Sequence, residues 1–339
     1  MPMKVYIEKC IAGEGLTTEE AAAALDLIMT NQATEAQIAG LIVALRAKGE
    51  SVEEIVGFAR TMREHAVKVE IDDPDAVDIV GTGGDGLGTF NISTVASFVA
   101  AGAGVTIAKH GNRAASSRTG SADLLTALGV NISAPPERVR QCINDVGIGF
   151  LFAPLFHPAM KAAAKPRSEL GIKTIFNMVG PLTNPAGATR QLIGTYRDDV
   201  ASKLARALRQ LGTQRSCVVH GSDGIDEVAL AGATRVYEVQ GETDVREYAI
   251  GPDTFGLPSR PLAEIIGGDS ADNATITRRV LGGEKGASRD VVLANAALGL
   301  YVAGKSASMT ECRQRAEESI DSGQAMKTLE RLIAFSNAP

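Results

Sequence analysis

Val77-Asp78-Ile79-Val80-Gly81-Thr82-Gly83-Gly84-Asp85-Gly86 is a short β-rich run that passes straight into a glycine loop, and its reading decides the fold. Ahead of it, at Asp72-Asp73-Pro74, helical spacing stops; behind it, strand-like and helical segments alternate. Val105-Thr106-Ile107-Ala108 reads as the next strand. Ser121 to Leu128 reads as a helix closed by Gly129, and Pro135 to Val146 as a helix closed by Gly147. Cys217-Val218-Val219 reads as a further buried strand. This alternation predicts an α/β fold with a mostly parallel central sheet. Thr234 to Val239 and Val245 to Ile250, joined around Gly241, read as a hairpin, which would make that sheet mixed.

Upstream of the boundary the chain predicts a small, all-helical region. Thr17/Glu20, Thr34/Gln37 and Ser51/Glu54 are capping-box pairs, each placed ahead of apolar residues at helical spacing. The stripes Leu25, Ile28, Met29, then Ile38, Leu41, Ile42, Leu45, then Ile55, Phe58, Met62 give each helix one face to bury. A stripe left over would be a subunit contact.

The 339 residues suffice for a large and a small domain. With 45% hydrophobic and 22% charged residues the chain can build a core. The net charge of −6 argues against a general nucleic-acid binder, which needs a basic surface. Cys10, Cys142, Cys217 and Cys312 form no metal-spaced cluster and no disulfide framework, and read as small buried residues of a reducing cytosol. No segment has the pattern of a signal peptide or a membrane span, so the expected location is the cytoplasm.

Taken alone, Gly81 to Gly86 fits a dinucleotide fingerprint, an anion cradle or a plain glycine-rich turn. Against the first stand Asp85 inside the loop, glycine continuing to Gly88, the delay of the next helix to Asn91-Ile92-Ser93-Thr94, and Lys109 where a ribose-binding acid would sit. No GK[ST] follows the glycines, which removes the Walker reading. Lys109-His110-Gly111-Asn112-Arg113-Ala114-Ala115-Ser116-Ser117-Arg118 tips the balance to the cradle. It gathers cations, hydroxyls and flexible backbone, and no Asp or Glu occurs between Asp85 and Asp123. Such a gap in an acidic chain suits a ligand with several phosphates. A polyphosphate brings Mg²⁺, which takes one or two carboxylates plus phosphate oxygens; Asp226-Glu227, in the loop after the Cys217 strand, is the best source. Neighbouring His220 reads as a loop-ordering residue. Lys165-Pro166-Arg167-Ser168-Glu169-Leu170-Gly171 reads either as a shaped hinge whose Arg167 grips a carboxylate, or as a linker with a surface arginine.

The ordered set GTGGDG, NIST, KHGNRAASS, GSADLL, R-x-E-L-G, FN-x-x-GPL-x-NP and DGIDE resembles the anthranilate phosphoribosyltransferases along nearly the whole chain. The resemblance implies a helical domain over 1–72, completed by about 167–185, and an α/β domain over 73–166 and 186–339, usually in a homodimer joined through the helical part. It implies transfer of the phosphoribosyl group of 5-phosphoribosyl 1-diphosphate to anthranilate, with Mg²⁺ expected as two ions. By it, Gly81, Gly84, Asp85, Thr89, Asn91, Ile92, Ser93, Thr94, Lys109 to Ser117 and Ser121 hold the phosphoribosyl donor. Gly81, Asn112 and Arg167 face anthranilate, and Ser93, Asp226 and Glu227 serve the metal. Asp85 and Lys109 act by charge and positioning, without a general base. Ser168 departs from relatives that often carry a second basic residue there. A pyrimidine-nucleoside phosphorylase and a non-catalytic nucleic-acid-binding relative of the same fold are the rival readings; the GPL-x-NP segment with Arg167 speaks against the first, and the negative charge with Asp226-Glu227 against the second.

Overall fold

The computed structural model describes residues 1–114 and 118–338. Helices α1 (Met3–Ile11), α2 (Thr18–Met29), α3 (Glu35–Lys48) and α4 (Val52–Glu64) form the amino-terminal part. In the last three the boxes at Thr17, Thr34 and Ser51 are formed, hydroxyl and carboxyl or amide exchanging hydrogen bonds with backbone N–H groups that a helix start leaves free.

The rest is built on one seven-stranded sheet of order β3-β2-β1-β4-β5-β6-β7. Its strands are β1 (Val77–Gly81), β2 (Ile107–Gly111), β3 (Ile148–Phe152), β4 (Arg190–Gly194), β5 (Arg215–Gly221), β6 (Thr234–Gln240) and β7 (Arg246–Ile250). The first five are parallel, β6 runs antiparallel to β5 and β7 antiparallel to β6, so the sheet is mixed through the hairpin around Gly241. Helices in chain order are α5 (Ile92–Gly102), α6 (Ser121–Leu128), α7 (Pro136–Gln141), α8 (Ala153–Phe156), α9 (Lys161–Leu170), α10 (Ile175–Val179), α11 (Asp198–Gln210), α12 (Ser270–Leu281), α13 (Ala287–Val302), α14 (Met309–Asp321) and α15 (Gln324–Ser336).

Alternation along each strand assigns the two faces of the sheet to two cores. Val77, Ile79, Ile107, Leu192, Cys217 and Val219 pack with α5, α13 and α15. Val80, Ile193 and Val218 face the other way, joining α1–α4 and α9–α11 in a second core. The strand order places β1 and β4 side by side, although β2 and β3 come between them in sequence. The loops leaving these two strands, and the loop leaving β5, meet at one carboxyl edge. Ligands of open α/β sheets gather at that edge.

Three elements differ from their sequence reading. The second strand starts two residues later, at Ile107. The helix before Gly147 finishes in a π-turn over Cys142–Val146. Lys165 to Leu170 is helical, with Pro166 inside α9 and Gly171 (φ 61°) ending it. Pro166 is tolerated because it comes on the second turn, where only one backbone bond is forgone and its ring is buried against neighbours. All four cysteines are free and buried, as expected. No described helix is long and apolar enough to cross a membrane.

Candidate active site

The loop after β1 needs backbone that only glycine adopts easily: Gly83, Gly84, Gly86 and Gly88 have φ of 66°, 79°, 75° and 73°. It is fitted against the loop after β5. Gly83 N–H donates to Asp226 Oδ2 at 2.9 Å, and a Cβ at Gly194 would stand 1.6 Å from the Asp226 carbonyl oxygen. The ends of β1 and β4 are therefore kept bare so that Asp226 can lie across them. Beside it, Glu227 Oε1 accepts from Ser93 N–H at 2.9 Å, capping α5 from a distance of 134 residues in sequence. Asn91, at the cap position, makes no side-chain cap of its own.

This edge holds more acid than it neutralises. Burial, then the adjacent Asp85, push Asp226 up to about 7. Burial, then Asp226, push Glu227 up to about 8, against the opposing pull of Lys109. Asp85 Oδ1 accepts from Leu87 N–H at 3.1 Å, but its Oδ2 is buried with no donor. Lys109 is buried, is lowered by that burial, and donates to the Ile79 carbonyl. The oxygen-only donor set, raised carboxyls and orphaned Asp85 oxygen fit a hard divalent cation. Among the described residues no group of three or more His, Cys, Asp or Glu side chains is placed to hold a metal ion, so most of its oxygens have to be brought by a ligand or water.

A second cluster lies alongside. Asp123, on α6, accepts from Ala114 N–H and Gly120 N–H, both at 3.0 Å, and from Arg113 at 2.8 Å. Burial would raise this carboxyl, but those donors hold it below the usual range. The Asn112 carbonyl accepts from the Ser121 hydroxyl at 3.2 Å. Asn91 Nδ2 ties the clusters together by donating to the Thr119 carbonyl at 3.0 Å, and Asn273 Nδ2 donates to Asn91 Oδ1 at 3.0 Å.

The structure thus gathers Gly81, Gly84, Asp85, Ser93, Lys109, Asp226 and Glu227 at one edge, with Gly111 to Ala114 and Ser121 adjoining. Thr89 is bridged to Ile266, and the Ile92 and Thr94 side chains are buried. Ala115, Ser116 and Ser117 lie outside the described residues. His110 is turned to the opposite sheet face from Lys109, its ring 5.3 Å from that of His157. His220 Nδ1 lies 2.9 Å from the Thr195 carbonyl, an ordering contact between loops. Arg167 stands 4.9 Å over the Phe176 ring, partly buried, with no carboxylate partner among the described residues. Sequence reading misses Asp123 and Asn273. Asp123 had a signal, an acid three residues after Gly120 at a helix start; Asn273 had none.

The sequence profile of the glycosyl transferase family α/β domain matches residues 73–326, and that of the family's helical bundle domain matches residues 4–66. The anthranilate phosphoribosyltransferase of Moorella thermoacetica is 51% identical over 98% of this chain and 98% of its own. That of Rubrobacter xylanophilus is 52% identical over 98% and 97%. The chain belongs to the anthranilate phosphoribosyltransferase family. The family's crystal structure from Thermus thermophilus superposes with a TM-score of 0.92 at 48% identity, covering 98% of this chain and 99% of that one. The Saccharomyces cerevisiae enzyme in complex with PRPP and Mg does so with a TM-score of 0.90 at 31% identity, covering 98% and 97%. The family's reaction, and this chain's, is transfer of the phosphoribosyl group of 5-phosphoribosyl 1-diphosphate to the amine of anthranilate, with release of diphosphate, in tryptophan biosynthesis.

Proposed function

We propose that the carboxyl edge of β1, β2 and β5 is where this transfer takes place. Gly81, Gly84, Asp85, Thr89, the Asn91–Thr94 turn, Lys109, Gly111 to Ser117 and Ser121 take the phosphoribosyl diphosphate; His110 drops out because its ring lies on the other face of the sheet, against His157. Ser93, Asp226 and Glu227 serve Mg²⁺, in two ions. Gly81, Asn112 and Arg167 receive anthranilate. The observation that carries this reading is the surplus of raised carboxyl oxygen at Asp226 and Glu227, with the orphaned Asp85 oxygen, beside a glycine loop. Arg167 supports the acceptor end, because a partly buried guanidinium without an acid suits an arriving carboxylate.

The chemistry asks little proton transfer of the protein. An aromatic amine is neutral near pH 7, so its nitrogen lone pair attacks C1 directly as the C1–O bond to diphosphate breaks; the surplus amine proton leaves to solvent. Mg²⁺, when bound, supplies positive charge to the departing diphosphate. Lys109 and the loop N–H groups add to that stabilisation, and Asp226 and Glu227 fix the loop and the start of α5 through Gly83 and Ser93. Removing both acids, as Asp226→Ala with Glu227→Ala, is expected to lower kcat by about 10²-fold or more, with the deficit largest at limiting Mg²⁺. Unchanged turnover across a Mg²⁺ titration would remove the metal assignment.

We further read the enzyme as a cytoplasmic homodimer joined through its helices. Ile11 and Val43, on the mutually packed α1 and α3, leave 71% and 39% of their surfaces exposed. Sedimentation equilibrium is expected to give twice the chain mass; a single chain mass at micromolar protein would refute the dimer.

A further inference from the structure

We propose that Lys173 is a positioning residue for the donor, a latch that holds the glycine loop in the conformation that presents its N–H groups to diphosphate. This rests on reading Gly81 to Gly88 as the diphosphate loop. Four glycines with positive φ make that loop the most freely jointed stretch at the site, so its shape has to be imposed from outside. Among the described residues, two side chains from outside the loop hydrogen-bond to its backbone. Asp226 takes the Gly83 N–H. From the other side, across 89 residues of sequence, the Lys173 ammonium donates to the Gly84 carbonyl.

The second contact has a directional consequence. In a trans peptide the carbonyl and the following N–H point to opposite sides of the plane. With the Gly84 carbonyl held toward Lys173, the Asp85 N–H is turned away from it. Among the described residues neither Asp85 N–H nor Gly86 N–H has a backbone acceptor. The latch therefore leaves donors free on the face away from Lys173. Lys173 is itself fixed: its ammonium lies 3.4 Å from the centroid of the Tyr196 ring, which follows β4, and Gly171 has just ended α9. It then leads into α10, which packs on α3 and α4. The cation is thereby a connection between the helical side of the molecule and the loop, and it touches neither the reacting atoms nor the carboxylates.

Steady-state kinetics on Lys173→Met, Lys173→Arg and Tyr196→Leu test this. Losing the charge-assisted bond is expected to raise KM for phosphoribosyl diphosphate about tenfold while kcat changes by no more than about twofold. At saturating donor, KM for anthranilate is expected to stay at the wild-type value. Arginine should restore most of the loss, since it keeps the donor and the ring contact, and Tyr196→Leu should give a smaller rise in the same constant. An unchanged donor KM in Lys173→Met, a fall confined to kcat or thermal stability, or no rescue by arginine would each overturn the latch. Asp85→Ala separates the two levels. If it raises donor KM while Lys173→Met does not, only the latch fails; if neither does, the loop itself is not the diphosphate site.

Discussion

Two acid clusters stand at opposite ends of β5, and they are built on opposite terms. At the amino end, Glu238 of β6 is 1% exposed and completely served: Arg215 at 3.2 Å, Tyr301 hydroxyl at 3.0 Å, Tyr248 hydroxyl at 3.1 Å and Gln240 Nε2 at 2.9 Å all donate to it. Beyond the carboxyl end, Asp226 and Glu227 accept from the Gly83 and Ser93 N–H groups, stand beside Asp85 with Lys109 as the nearby cation, and both are raised. A buried acid with every oxygen answered belongs to the fold. Acids crowded together beyond what one buried lysine offsets oppose the fold and remain only where something that binds there repays them.

The first way to break this contrast is to cut each cluster and read stability against turnover. Glu238→Ala leaves Arg215 and two tyrosine hydroxyls facing a void, and is expected to cost about 3–5 kcal/mol in urea unfolding with kcat near wild type at about 25 °C. The Asp226→Ala, Glu227→Ala protein should show the reverse, an unfolding midpoint at or above wild type without ligands together with the loss of turnover described above. Equal destabilisation in the two proteins would mean that the carboxyl-end acids are also structural, and the distinction would fall.

How far such contrasts can be seen in sequence depends on how local their causes are. The three amino-terminal boxes are legible because donor and acceptor are three residues apart; each formed as read. So are Gly129 and Gly147, whose φ of 98° and 90° close their helices. The hairpin and the sheet alternation follow from period and turn residues. The glycine loop and the acid pair were read together through a polyphosphate and its Mg²⁺, but the bond from Gly83 N–H to Asp226, across 143 residues, was not legible. Asn273 reaching Asn91 over 182 residues, and Lys173 reaching Gly84, have no sequence pattern at all. Pro166 misled in the other direction: it reads as part of a shaped loop, yet it sits inside α9, where its missing N–H forgoes one bond. His110, next to Lys109, shows the limit of motif reading, because neighbours on a strand face opposite sides.

His110 and His157 sharpen the comparison at its smallest effect. They form a third buried cluster with Asp78, which accepts from the His110 backbone N–H at 3.1 Å and Asn184 Nδ2 at 2.8 Å. Burial, then the nearby His157, push His110 down to about 3; burial pushes His157 down to about 4. Both are thus neutral in the fold at pH values where a free histidine, near 6.5, binds a proton. The unfolded chain then carries more protons than the folded one, so stability falls as pH drops from about 6.5 toward about 4. Asp78 runs the other way: burial raises it to about 6, so between about 4 and 6 the fold holds a proton that the unfolded chain has lost, and stability falls as pH rises. Within this cluster two histidines outweigh one carboxyl, but the raised Asp226 and Glu227 contribute in the same sense as Asp78, so the histidine share is read from the difference between two proteins and not from the wild-type slope alone. His157→Leu should remove one histidine's share, so that its stability relative to wild type rises by about 1.4 kcal/mol per pH unit as pH falls from about 6 to 4.5 in urea unfolding. A difference that stays constant across that range would show that His157 takes up its proton in the fold as readily as in the unfolded chain, and that this cluster, like that of Glu238, has an ionic partner.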